Sequence, residues 1–172
     1  AGESELTMPD DNYVNIDPDA LGKETNPEFN ALTNLQRQMK DEGKDIQLEP
    51  AGRVHEESSH VAKAVKAAAL EGDRNFVLDG VGGKQSWLDQ IEDAHNDGYE
   101  VSVIVATVDL DLAKERAKSR GESPPYRTVS PGIIEDGHQR VSDGYEGLRK
   151  LANKIDMPIE IWDNGTKPPT LV

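Results

Sequence analysis

Asn75-Phe-Val-Leu-Asp-Gly-Val-Gly-Gly-Lys84 joins an apolar run, an acidic residue and a glycine-rich turn that ends in lysine. A buried parallel strand running into a phosphate-binding turn has this order. A nucleotide-binding Gly-x-x-x-x-Gly-Lys-Ser/Thr loop uses backbone N–H groups to cradle phosphates and a hydroxyl to hold magnesium. Here Gly83-Lys84 is followed by Gln85, and Leu78 stands where the first glycine belongs. The stretch therefore reads as a strand delivering Asp79 to a sheet edge, with Gly80–Gly83 as the turn. Lys84 reads as incidental.

The surroundings supply the fold class. Tyr13–Ile16 is a short strand candidate followed by Asp17-Pro18-Asp19. Asn26 is a helix cap with Pro27 at the first helical position. Phe29, Leu32, Leu35 and Met39 follow at helical spacing, and Gly43 is a stop. A second helix is predicted from Gly52 to Leu70, with Val54, Val61, Val65 and Ala68 on its apolar face and Gly72 behind it. After Asn75–Asp79 come a helix to Gly98 and a strand within Tyr99–Val108. The run Val103-Ile-Val-Ala106 suits a strand buried on both faces. Further helices are predicted over Asp109–Arg120 and Pro131–Lys154, then a strand over Pro158–Trp162 and a proline-bearing tail. Strands alternating with helices mean βαβ units and an α/β fold, a parallel sheet with flanking helices. Residues 1–172 read as a single domain. In such sheets ligands bind beyond the carboxyl ends of the strands, where Asp17, Asp19 and Asp79 stand.

Composition narrows the partners. The 172 residues carry a formal net charge of −14, with 35% hydrophobic and 30% charged residues. This balance supports a globular core and argues against nucleic acid as the main partner, because the acidic excess repels a phosphate backbone. There is no cysteine, so there is neither a disulfide framework nor a thiolate metal site. That suits a reducing cytosol. No apolar run approaches the roughly 20 residues of a membrane helix, and no basic-then-apolar leader opens the sequence.

Several side chains suit phosphate chemistry. Asp79, at a strand end, reads equally as a magnesium-directed carboxylate and as a cap for the next turn. Asp17-Pro18-Asp19 taken alone reads as a helix cap, although a carboxylate there can also accept a hydroxyl proton. Arg116 and Arg120 are four apart on one helical face, and Arg127 follows in a Pro-rich loop. In so acidic a chain, three guanidiniums favour a lid over phosphates rather than a solvated face paired with Glu115 and Glu122. In His55-Glu-Glu-Ser-Ser-His60 the histidines are five apart, off one face, which argues against zinc. Ser58, Ser59 and His60 can line a pocket, while an ordinary surface helix is the simpler reading of each. Trp87 and Trp162 read as core anchors.

Taken in order, Asn15-Ile-Asp-Pro-Asp19, Lys23, Pro27-Glu-Phe29, His55-Glu-Glu-Ser-Ser59, Val77-Leu-Asp-Gly80, Gly98-Tyr-Glu-Val101, Arg116, Arg120 and Tyr126-Arg-Thr-Val129 resemble the zeta toxin family of P-loop kinases. The resemblance spans Tyr13 to Leu148. It implies a P-loop kinase-like fold and a cytoplasmic, ATP- and Mg²⁺-dependent transfer of phosphate to a sugar hydroxyl of a UDP-N-acetyl amino sugar. It also implies restraint by an antitoxin protein. By the same resemblance Asp19 is the base, and Arg116, Arg120 and Arg127 surround the phosphates, with Arg116 and Arg120 also contacting ATP. Lys23 stands one position from a family basic residue. Lys23, Ser58, Ser59, Asp79 and Gly80 are the substrate-side positions, and Asp79 is the metal-side one.

Two departures qualify this resemblance. Val81 stands where the family has threonine, which removes one substrate contact. The family's first strand and Walker A loop should precede Tyr13, and the 12 residues before it hold neither. The expectation is a domain without its central strand, with two inner edges unpaired and with little activity of its own, because the backbone cradle for the β- and γ-phosphates is absent. Two other readings remain: a non-catalytic binding or assembly module on the same fold, and a kinase for another small molecule or nucleoside.

Overall fold

The computed structural model describes residues 13–44, 48–122 and 129–172, with the backbone alone described at 22–25 and 51. The chain divides into two compact units, one of Pro9–Gly80 and Glu115–Ser130, the other of Val81–Lys114 and Pro131–Val172.

The first unit holds β1 (Val14–Ile16), α1 (Pro18–Thr25), α2 (Pro27–Asp41), α3 (Pro50–Arg53), α4 (His55–Glu71) and β2 (Phe76–Leu78). β1 and β2 pair in parallel, Val14 opposite Phe76 and Ile16 opposite Leu78. α2 begins as its sequence predicts. The Asn26 side chain accepts from the N–H groups of Glu28 and Phe29, and Pro27 opens the helix. Gly43, at φ +74°, closes its C-terminus in open space. The buried face of α2 is Phe29, Thr33 and Gln36, whereas Leu35 is 40% exposed. Leu35 was expected on the core face. Gln36 goes in instead because its Oε1 accepts the Leu48 N–H at 3.1 Å. A buried backbone donor needs such a partner. The helix predicted from Gly52 to Leu70 is broken at Val54, which is 2% exposed and separates α3 from α4. α4 buries Ser58, Ala62 and Ala69. Small side chains on this face let α4 pack closely, and α1 lies against it.

The second unit holds α5 (Gln85–Asn96), β3 (Val103–Thr107), the start of α6 (Leu110–Glu122), α7 (Pro131–Ile155), β4 (Ile159–Asp163) and β5 (Thr170–Leu171). β3 and β4 are parallel, Val103 opposite Ile159 and Thr107 opposite Asp163. β5, which the tail sequence did not announce, adds antiparallel to β4. The reading of β3 as buried on both faces needs correction. Val103 and Val105 are partly covered, but Ile104 is 48% exposed and Ala106 is exposed. One face of the strand is thus open among the described residues. Gly83 sits at φ +89°, and a Cβ there would lie 2.2 Å from the Arg140 carbonyl oxygen. A Cβ on Gly144 would lie 2.6 Å from Gly83 Cα. The glycine turn therefore rests backbone-to-backbone on α7. α5 also packs on α7, where Lys154 pairs with Glu92.

The α/β class follows from this order of elements. The strands lie in two sheets, β1-β2 and β3-β4-β5, where one continuous sheet was expected. Among the described residues, no other strand pairs with β2 or joins β3 on its second edge.

Candidate active site

The β1–β2 ladder fixes the first part of the site. The last paired residues are Ile16 and Leu78, so Asp17 and Asp79 leave adjacent strands at the same edge. The Asp79 N–H donates to the Ile16 carbonyl at 3.1 Å, which carries the ladder to the point where both acids emerge. The two aspartates of Asp17-Pro18-Asp19 then divide their tasks. Asp17 Oδ1 accepts the Asp19 N–H at 2.8 Å, capping α1. Asp19 stands exposed in the first turn of α1. A carboxylate near a helix N-terminus is favoured electrostatically.

Asp79 does not take the capping role that its sequence left open. α5 starts at Gln85 with Lys84 in the cap position and no side-chain cap. Asp79 and Gly80 are both exposed at the strand end. Magnesium is commonly held by one or two protein carboxylates together with substrate phosphates and water. An exposed strand-end aspartate fits that demand. Among the described residues, no three His, Asp or Glu side chains gather as a cage for a metal.

α4 brings the serines beside the helix of Asp19. Ser58 is 5% exposed, and its hydroxyl donates to the Val54 carbonyl at 2.8 Å. Its proton is therefore engaged within the helix, and only its lone pairs remain for other contacts. Ser59 is half-buried, while His55 and His60 are exposed. The serine that sequence placed second is thus the better placed to meet a ligand.

Arg116 and Arg120 lie on the C-terminal part of α6, within the same unit as the carboxylates. Arg116 is half-buried and Arg120 exposed. Arg127 and the Lys23 side chain lie outside the described residues. Sequence reasoning passed over Lys40, whose Nζ donates to the Gly121 carbonyl at 2.9 Å across 81 positions. No local pattern announces a contact that distant.

A family description for Zeta toxin matches residues 2–167, nearly the whole chain. The chain belongs to the zeta toxin family. No curated protein and no solved structure matches it significantly. Zeta toxin proteins are kinase-like phosphotransferases of P-loop fold, which implies ATP and Mg²⁺. They generally pair with antitoxins and act on small molecules. Among the described residues of this zeta toxin domain, no helix is long and apolar enough to cross a membrane.

Proposed function

We propose that this domain transfers the γ-phosphoryl group of ATP to a sugar hydroxyl of a UDP-N-acetyl amino sugar in the cytoplasm, and that an antitoxin protein restrains it. The observation that carries the proposal is the β1–β2 edge, where Asp79 leaves one strand and Asp17, capping the helix that follows the other, puts the exposed Asp19 in its first turn.

In the transfer, the acceptor hydroxyl oxygen bonds to the γ-phosphorus as the bond from phosphorus to the ADP oxygen breaks. Asp19 takes the hydroxyl proton. Positioned bases of this kind are worth about 10²- to 10⁴-fold in rate. Asp79 would hold Mg²⁺, directly or through water, and the ion supplies charge neutralisation between the phosphates. Arg116, Arg120 and Arg127 bind and orient the phosphate oxygens, where charge-assisted, often bidentate contacts are strongest. Lys23, Ser58, Ser59 and Gly80 line the acceptor side, with Ser58 limited to accepting.

The natural gene product, incubated with MgATP and UDP-N-acetylglucosamine, should give a new sugar phosphomonoester by ³¹P NMR, and Asp19→Asn should slow its formation by about 10²- to 10⁴-fold. For the 172-residue chain by itself we expect weak turnover, since it contains no Gly-Lys-Ser/Thr to cradle the phosphates. ATP consumption with another hydroxyl acceptor would replace the substrate. Absence of both ATP binding and transfer in the gene product would favour a binding module.

A further inference from the structure

We propose that Lys40 is a positioning residue for the arginine row of α6; this rests on the phosphotransferase reading above. α6 is seated by its small residues. Ala117 is 3% exposed and Gly121 is buried. They lie four apart, on one side of the helix. Arg116 and Arg120 each precede one of them by a single position. The arginines therefore flank the seated side, and the way α6 is seated fixes where their guanidiniums can reach.

The end of a helix is its least constrained part, because its last carbonyls lack intrahelical donors. α6 ends at Glu122, so the Gly121 carbonyl is one of these. The Lys40 ammonium fills it at 2.9 Å. A cation on the negative end of a helix is favoured by the helix dipole, and the bond is charge-assisted. Water would satisfy the same carbonyl, but it would not attach α6 to α2. The attachment matters because of what lies at the other end of α2. Lys40 is in the last turn of α2, and Asn26, which caps its first turn, directly follows α1, the helix of Asp19. α2 thus works as a strut from the base-bearing helix to the Gly121 carbonyl, one residue past Arg120.

Trypsin reads the tethered end of α6, since it cuts the neighbouring peptide bond after the exposed Arg120. Lys40→Met keeps the stem of the side chain and removes the donor, and Lys40→Arg restores a cationic donor. Loss of one charged hydrogen bond should speed cleavage after Arg120 by about tenfold in Lys40→Met. Cleavage after the exposed Arg74 and Lys84 should not change, and Lys40→Arg should return the rate towards wild type. In the natural gene product, MgATP affinity measured by calorimetry should fall in Lys40→Met and recover in Lys40→Arg. Unchanged cleavage after Arg120, or equal acceleration at all three sites, overturns the proposal. So does faster local cleavage with unchanged ATP affinity, which would mark a tether without influence on the arginines. If the wild type itself binds no ATP, the phosphotransferase reading fails and the arginine role fails with it, whereas the cleavage pattern still decides the tether.

Discussion

Asp17 and Asp109 each follow a strand, and each commits a carboxylate oxygen to the helix behind it. Asp17 accepts from the Asp19 N–H, and Asp109 accepts from those of Asp111 and Leu112 at 2.9 and 3.3 Å. Asp19 sits inside the first turn of α1, past the cap position, and Asp79 caps no helix, since α5 starts at Gln85 without a side-chain cap. A comparison of conservative variants follows from this division. Asp17→Asn should leave turnover and stability near wild type, because asparagine caps as well as aspartate. Asp19→Asn should lower kcat by about 10²- to 10⁴-fold with the melting temperature little changed. Parallel kinetic and thermal measurements on the two variants check this. The sequence placed both acids at a strand end, but the choice between them depends on where the helix starts. That start is a matter of backbone phase, which Asp-Pro-Asp leaves open. Ser58 was likewise legible as a site candidate but not as a side chain turned back on its own helix.

Among the elements, caps and stops were the most readable features, because they rest on local chemistry. Asn26-Pro27 starts α2 and Gly43 ends it, where the residue types demand. Asn26→Ala should cost about 1 kcal/mol, read from chemical denaturation. Burial was less readable. Gln36 displaced Leu35 from the core face because of a backbone donor 12 positions away, and such a partner has no local signature. The glycine turn belongs with these long-range features. In Gly144→Ala the new methyl would meet the Gly83 backbone at 2.6 Å. The turn or α7 must then shift, at about 1–3 kcal/mol or more. A lower denaturation midpoint for Gly144→Ala, with Gly132→Ala as a control in open space, is the expected result.

For the whole molecule, charge is the property that sequence states outright. At −14 the chain should give no change in fluorescence anisotropy with labelled duplex DNA at about 0.15 M salt, because basic side chains supply nearly all non-specific affinity for DNA. The class of fold was legible from the alternation of strands and helices. Its division into two sheets was not, since pairing partners are set by tertiary context. The site was legible as a set of residue types in order. What the structure adds is that Asp17, Asp19, Asp79, Gly80, Ser58, Ser59, Arg116 and Arg120 all fall within one compact unit.

The short β1–β2 ladder also governs where the gene can change length. Side chains alternate along a strand, so one inserted residue reverses every side chain beyond it. With β1 and β2 each three residues long, an insertion between Val14 and Asp17 would turn the acids away from their shared edge. A Cβ on Gly43, in the turn after α2, would meet nothing within 4 Å, so a longer turn there clashes less than one in the ladder. In a library of single-residue insertions scored for phosphotransfer, survivors should gather at Gly43 and be missing from 14–19 and 76–80.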